Sequence, residues 1–136
     1  MGEIISLRIV DYPKEYFSDF IYTYPSFNKE LQNILDQSGY VEEFTKKYFR
    51  GLRFLENLKE RCIAQRKLFE KLRYGNGLYS MQLHGQKNIR ILFDFHTANK
   101  EKIVVLYVCF EEKRSGDYAD EIAIATERRR KLLEEW

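Results

Sequence analysis

"LYSMQLHGQKNIRILFDFHTANKEKIVVLYVCFEE", residues 78–112, decides the fold of this chain. Its first part alternates Tyr79, Met81 and Leu83 against Ser80, Gln82 and His84. After a short Gly-Gln-Lys turn, Ile89, Ile91, Phe93 and Phe95 alternate against Arg90, Leu92, Asp94 and His96. A period of two is the mark of a strand with two unlike faces. The third part, "KIVVLYVCFEE" (102–112), is apolar at nearly every position, as a central strand covered on both faces would be. Turns this short join antiparallel neighbours, so the stretch predicts a meander of three strands. Alternation also sets the register. A slip of one residue would bury Gln82, His84 and Arg90 and expose Met81, Leu83, Ile89 and Ile91. The polar phases should therefore share one face. If helices cover only the other, Arg90 lies on an open, concave sheet face with Gln82, His84 and Lys113 within reach.

The flanking segments supply the helices. "EIISLRIV" (3–10) alternates Ile5, Leu7 and Ile9 against Ser6 and Arg8 and predicts a first strand. The aromatic stretch "YPKEYFSDFIYTYPSF" reads equally as a short helix or as an irregular packed segment. From Ser26, a possible cap, Phe27, Leu31, Ile34 and Leu35 form a helical stripe that stops at Gly39. A second helix is predicted from about Val41 to about Arg73. Its stripe is Phe44, Tyr48, Leu52, Leu55, Leu58, Cys62, Phe69 and Leu72, with Gly51 as a weak point. "RYGNG" (73–77) ends it. A last helix follows Ser115 or Asp117, either of which can cap it, with Tyr118, Ile122, Ala125, Leu132 and Trp136 on its stripe. The order is β–α–α–β–β–β–α. This is an α+β class: a helical hairpin and a C-terminal helix packed on a small, mainly antiparallel sheet.

Residues 1–136 make one domain, large enough for a core without staples. Lys and Arg exceed Asp and Glu by only two charges, so a nucleic-acid partner has to be argued from local patches. Two cysteines, Cys62 and Cys109, sit in apolar settings without CxxC spacing and read as buried, reduced thiols. No secretory signal and no membrane-length apolar run is visible, which places the chain in the cytoplasm as an expectation. There is no P-loop, dinucleotide fingerprint, nucleophile elbow or HExxH. The histidines and cysteines have no metal-ligand spacing, and nothing calls for a cofactor.

Four fragments in this order, "FEKLRYGNGLYSMQL", "NIRILFDF", "IVVLYVCFEEKRSGDY" and "EIAIATERRRKL", resemble the RelE/ParE superfamily of type II toxins, in its HigB-like, phage-derived branch. The resemblance spans roughly residues 41–133 and lies in order and spacing. It implies a RelE-like fold and metal-independent cleavage of mRNA on the ribosome by scattered Arg, Lys, His or Tyr side chains. It also implies a cognate antitoxin, often a helix-turn-helix protein, as partner. An arginine common in the family's first meander strand falls on Gln82 here. That departure keeps two alternatives open: a ParE-like inhibitor of DNA gyrase, and a member that retains the antitoxin interface without activity.

Metal-free RNA cleavage needs a base for the 2′-hydroxyl, charge on the scissile phosphate and a proton for the leaving oxygen. The resemblance gives Arg90 the phosphate, for which a guanidinium is suited; the competing reading pairs it with Asp94. Lys113 would stabilise the transition state from the end of the last strand, with Arg114 beside it as an RNA contact. Solvated strand-end charges are the competing reading there. His84 or His96 would move the proton, because histidine titrates near neutrality. Lys67, Lys71 and Arg73, followed by Tyr74, form a basic helix end that could track an RNA backbone or simply oppose the helix dipole. The "ERRRK" run (127–131) reads as a solvated face, or as a contact with ribosomal RNA. Tyr107 and Tyr118 could stack on a base but fit the core as well.

Overall fold

The computed structural model describes residues 6–73, 75–98, 100–114 and 116–134. The meander forms where the alternation puts it: β3 is Tyr79–Leu83, β4 is Ile89–Ala98 and β5 is Glu101–Glu111. All three pair antiparallel, with Gln82 opposite Arg90 and Arg90 opposite Phe110. Two further strands complete a five-stranded, mainly antiparallel sheet. β1, Ile21–Thr23, runs parallel to β5 at one edge, and β2, Phe69–Lys71, pairs with β3 at the other.

Both edge strands differ from the sequence reading. The described part of 3–10 makes only isolated bridges, Arg8 with Thr23 and Val10 with Tyr16. The parallel partner of β5 comes instead from the aromatic stretch; Ile5 lies outside the described residues. The second helix is also shorter than its stripe. α2 spans Val41–Leu58, a 3₁₀ turn follows over Lys59–Ala64, and Phe69 belongs to β2. The stripe persists because Leu58, Cys62 and Phe69 all face the same core, but the backbone leaves the helix at Lys59, whose φ is +52°. Gly51 is no weak point. It is buried, and a β-carbon there would stand 2.7 Å from the Met81 sulfur, so its lack of a side chain is what lets α2 approach β3. α1 is Phe27–Leu35, and Ser26 precedes it without a side-chain cap bond. α3 is Asp117–Glu134. Of its two candidate caps, Ser115 lies outside the described residues, as does Trp136 of its stripe.

The sheet is covered on both faces. α1 and α2 close over Met81, Ile89, Ile91, Phe93, Val104 and Leu106. α3 closes over the opposite face, where Leu78, Leu92, Val105, Tyr107, Val108 and Phe110 meet Ala125 and Leu132. The expectation of one open face is therefore overturned. The physical reason lies in β5, whose residues Ile103–Phe110 are apolar on both phases, so that leaving either side to water would expose a row of large side chains. No helix among the described residues is long and apolar enough to cross a membrane.

Candidate functional site

Arg90 points to the face that α3 covers. It is 7% exposed, and its Nη2 lies 3.3 Å from Glu112 Oε1 rather than against Asp94. Nε and Nη1 are buried with no hydrogen-bond partner among the described residues. A buried polar group left unpaired costs on the order of 1–3 kcal/mol, and more when it is charged. Two such nitrogens on one guanidinium are donors that an acceptor oxygen, water included, would satisfy.

Arg90 lines a cavity of about 400 Å³ together with Glu70, Arg73, Gln82, Glu112 and Tyr118, with Leu72 and Ile122 as its apolar part. Pairing explains the gathering. Register places Gln82 beside Arg90, and the Gln82 side chain donates to Glu70 Oε2 at 3.0 Å. The first turn of α3 brings Tyr118, whose ring stands edge-on to Phe110 at 5.2 Å and whose hydroxyl is 3.0 Å from Ser80 Oγ. Burial raises the Tyr118 phenol above its ordinary value, so the group keeps its proton at neutral pH.

Of the expected site residues, Arg90, Gln82, Arg73 and the candidate stacking ring Tyr118 line this cavity, and the others do not. Lys113 is 71% exposed, with its ammonium 3.8 Å from Glu111. Its backbone N–H and that of Arg114 both donate to the Asp117 carboxylate, at 2.8 and 2.9 Å. These bonds fix the turn into α3, hold the Asp117 carboxyl below its ordinary value and leave both cations facing solvent. His84 is exposed beyond the end of β3, where its carbonyl accepts from Lys47 Nζ at 2.5 Å. Lys71 lies on the opposite sheet face from Glu70, over the Tyr79 ring. His96 shares the face of Arg90 but lies six residues further along β4, roughly 20 Å away. Tyr74 lies outside the described residues. The helix-end rail is overturned as well, since Lys67, Lys71 and Arg73 follow the end of α2 rather than form it.

His96 instead joins a second, closed cluster. Its Nε2 is 2.7 Å from the Tyr107 hydroxyl and 2.6 Å from Asp94 Oδ1. Arg129 Nη1 reaches Asp94 Oδ2 at 3.4 Å. Tyr107 gets there because the β4–β5 register shifts: Leu92 pairs with Val108 and Phe93 with Leu106, leaving Tyr107 as the bulged residue. Burial, with the Asp94 charge next to it, drives the Tyr107 phenol far above its ordinary range. This cluster ties α3 to the sheet. Arg128 does the same, giving a bidentate bond to Glu30 and one to the Tyr107 carbonyl at 2.7 Å. Two arginines of the "ERRRK" run are thus structural ties rather than a solvated face.

Sequence reasoning missed Glu70 and Glu112, and offered Tyr118 only as a ring that could stack on a base or join the core. Glu112 had a signal: it extends the β5 ladder, its N–H donating to the Asn88 carbonyl at 2.8 Å beside the strand that carries Arg90. The place of the Tyr118 hydroxyl beside Ser80 had no signal, because it depends on α3 crossing the polar face. Among the described residues no group of three or more His, Cys, Asp or Glu side chains could hold a metal ion. No family model matches this chain, and no curated protein matches it.

Proposed function

We propose that the chain is an RNA-cleaving toxin of the RelE/HigB-like kind, with its site in the cavity between β3, β4 and the start of α3. One observation carries the reading: Arg90, buried at the sheet with two nitrogens unpartnered among the described residues, lines a cavity together with the carboxylates of Glu70 and Glu112 and a protonated phenol. In this reading Arg90 takes the non-bridging oxygens of the scissile phosphate. Glu112 removes the 2′-hydroxyl proton as the O2′–P bond forms. Tyr118 gives its proton to the 5′-oxygen as the P–O5′ bond breaks, leaving a 2′,3′-cyclic phosphate and a 5′-hydroxyl. Glu112, by then protonated, returns that proton to the phenolate through water.

Induction in a bacterial host followed by mapping of transcript ends tests this. Growth arrest with new 5′-hydroxyl ends is the expected result. Arg90→Ala and Glu112→Gln should each lower cleavage by about 10²–10⁴-fold. Normal growth with intact transcripts at high expression defeats the reading.

A second reading is favoured by the charges of the cavity, where Glu70 and Glu112 balance Arg73 and Arg90. A member that binds without cleaving, such as a gyrase inhibitor, needs no excess of cations there. Loss of supercoiling activity when purified protein is added at micromolar concentration would establish it, and Gln82→Arg should then restore no cleavage.

A further inference from the structure

β5 is far longer than its edge partner. β1 covers Val104–Leu106 alone, and two flanking bonds, from Val104 N–H to the Phe20 carbonyl and from Tyr24 N–H to the Leu106 carbonyl, complete the pairing. The Tyr107 carbonyl is taken by Arg128. At the far end Glu112 N–H bonds toward β4, so alternation turns the backbone groups of Glu111 and Cys109 to the other side. Among the described residues nothing pairs with them there.

That stretch of edge forms the floor of a cleft of about 390 Å³. Asn33 and Ile34 of α1 form one wall, Glu121 and Ile124 of α3 the other. Open edges are ordinarily blunted by charge, proline or a bulge. Here the edge lies between two helices that both line the cleft. The cleft is also acidic. Glu121 makes no salt bridge with a described residue, and burial with Glu30 nearby raises its carboxyl above the ordinary range. Arg128, the cation of this cleft, is engaged by Glu30, so Glu121 is left without a salt bridge to a described residue. A second copy of this chain fits poorly, because pairing two such edges would bring Glu111 and Glu121 of both copies together.

We propose that this edge receives an extended, positively charged segment of a partner polypeptide, added as a sixth strand beside Cys109 and Glu111 with a lysine or arginine set against Glu121. Main-chain bonds would supply affinity, and the alternate side chains would supply selection. The proposal does not depend on whether Arg90 meets phosphate.

The probe is a labelled eight-residue peptide of alternating lysine and valine, read by fluorescence anisotropy and by amide exchange on the full chain. In the free protein the Cys109 and Glu111 amides should exchange about a hundredfold faster than the paired Val104 amide. Peptide should slow both. Methylating its alternate backbone nitrogens, replacing its lysines with glutamates, or introducing Glu121→Lys into the protein should each weaken binding at least tenfold. Cys109 and Glu111 amides as protected as Val104 in the free protein would overturn the proposal. So would an absence of binding at millimolar peptide, or binding indifferent to methylation and to Glu121→Lys. Concentration-dependent dimerisation that protects the same two amides would assign the edge to a second copy and overturn it equally.

Discussion

Asp94 is the residue on which the α3 face turns. Its carboxylate is 4% exposed and meets Arg129 from α3, His96 from its own strand and the neighbourhood of the Tyr107 hydroxyl. Removing one partner of a buried ion pair leaves the other charged and unsolvated, which costs more than the pair is worth. Asp94→Ala should therefore destabilise by about 3 kcal/mol or more in urea unfolding. Adding Arg129→Met should recover part of that loss, since the stranded guanidinium is then gone. Additive losses in the double variant would show that the two side chains are not coupled. At this level the sequence was half legible. Alternation placed Arg90, Asp94 and His96 on one face correctly, because period two is a property of the strand alone. What each would touch on that face was not legible, because Arg129 and Tyr118 arrive from a helix more than twenty residues away in sequence.

The break at Lys59 shows where helical periodicity misleads. The stripe from Phe44 to Leu72 contains no proline, and no glycine marks its midpoint near residue 59, so local sequence gives no stop. The helix ends there because Phe69–Lys71 is claimed by the edge of β3, with Phe69 opposite Met81 and Lys71 opposite Tyr79, and the chain has to turn to reach it. The cost falls on Lys59, which holds φ +52° and ψ −128°, a conformation suited to glycine. Its side chain contributes only surface contacts, a bond to the Glu56 carbonyl and a place over the Phe20 ring. Lys59→Gly should accordingly stabilise the protein by about 1 kcal/mol, read as a higher urea midpoint with an unchanged m-value. A lower midpoint would mean that the ring contact outweighs the strain. The same logic explains the misplaced first strand. Alternation over residues 3–10 was real, but a three-residue segment with Ile21 and Thr23 on its buried phase won the parallel place beside β5.

Tyrosine chemistry sets the conditions under which the whole molecule holds together. Six of the ten tyrosines, Tyr12, Tyr16, Tyr48, Tyr79, Tyr107 and Tyr118, have phenols raised above the ordinary value, with burial the largest cause in each. Tyr48 and Tyr107 matter most, because both are fully buried. The thiols point the same way: burial pushes Cys62 up to about 12 and Cys109 well above its ordinary range. For a group whose folded pKa is raised, the folded state binds the proton more tightly. Its stabilising effect is complete below the unfolded pKa and is lost as pH climbs toward the folded one. Each pH unit above the ordinary phenol value costs about 1.4 kcal/mol for every phenol that cannot ionise in place. Tyr48 and Tyr107 together therefore draw on the same small stability margin as pH rises above the ordinary phenol value. The protein should thus unfold cooperatively in alkali, with phenolate absorbance at 295 nm and far-ultraviolet circular dichroism changing together. The thiols should stay inert to a thiol reagent at pH 8 and become reactive only across that transition. Gradual ionisation of all ten tyrosines with the dichroism unchanged would show that these phenols meet water in the folded state, and that the α3 face is not closed.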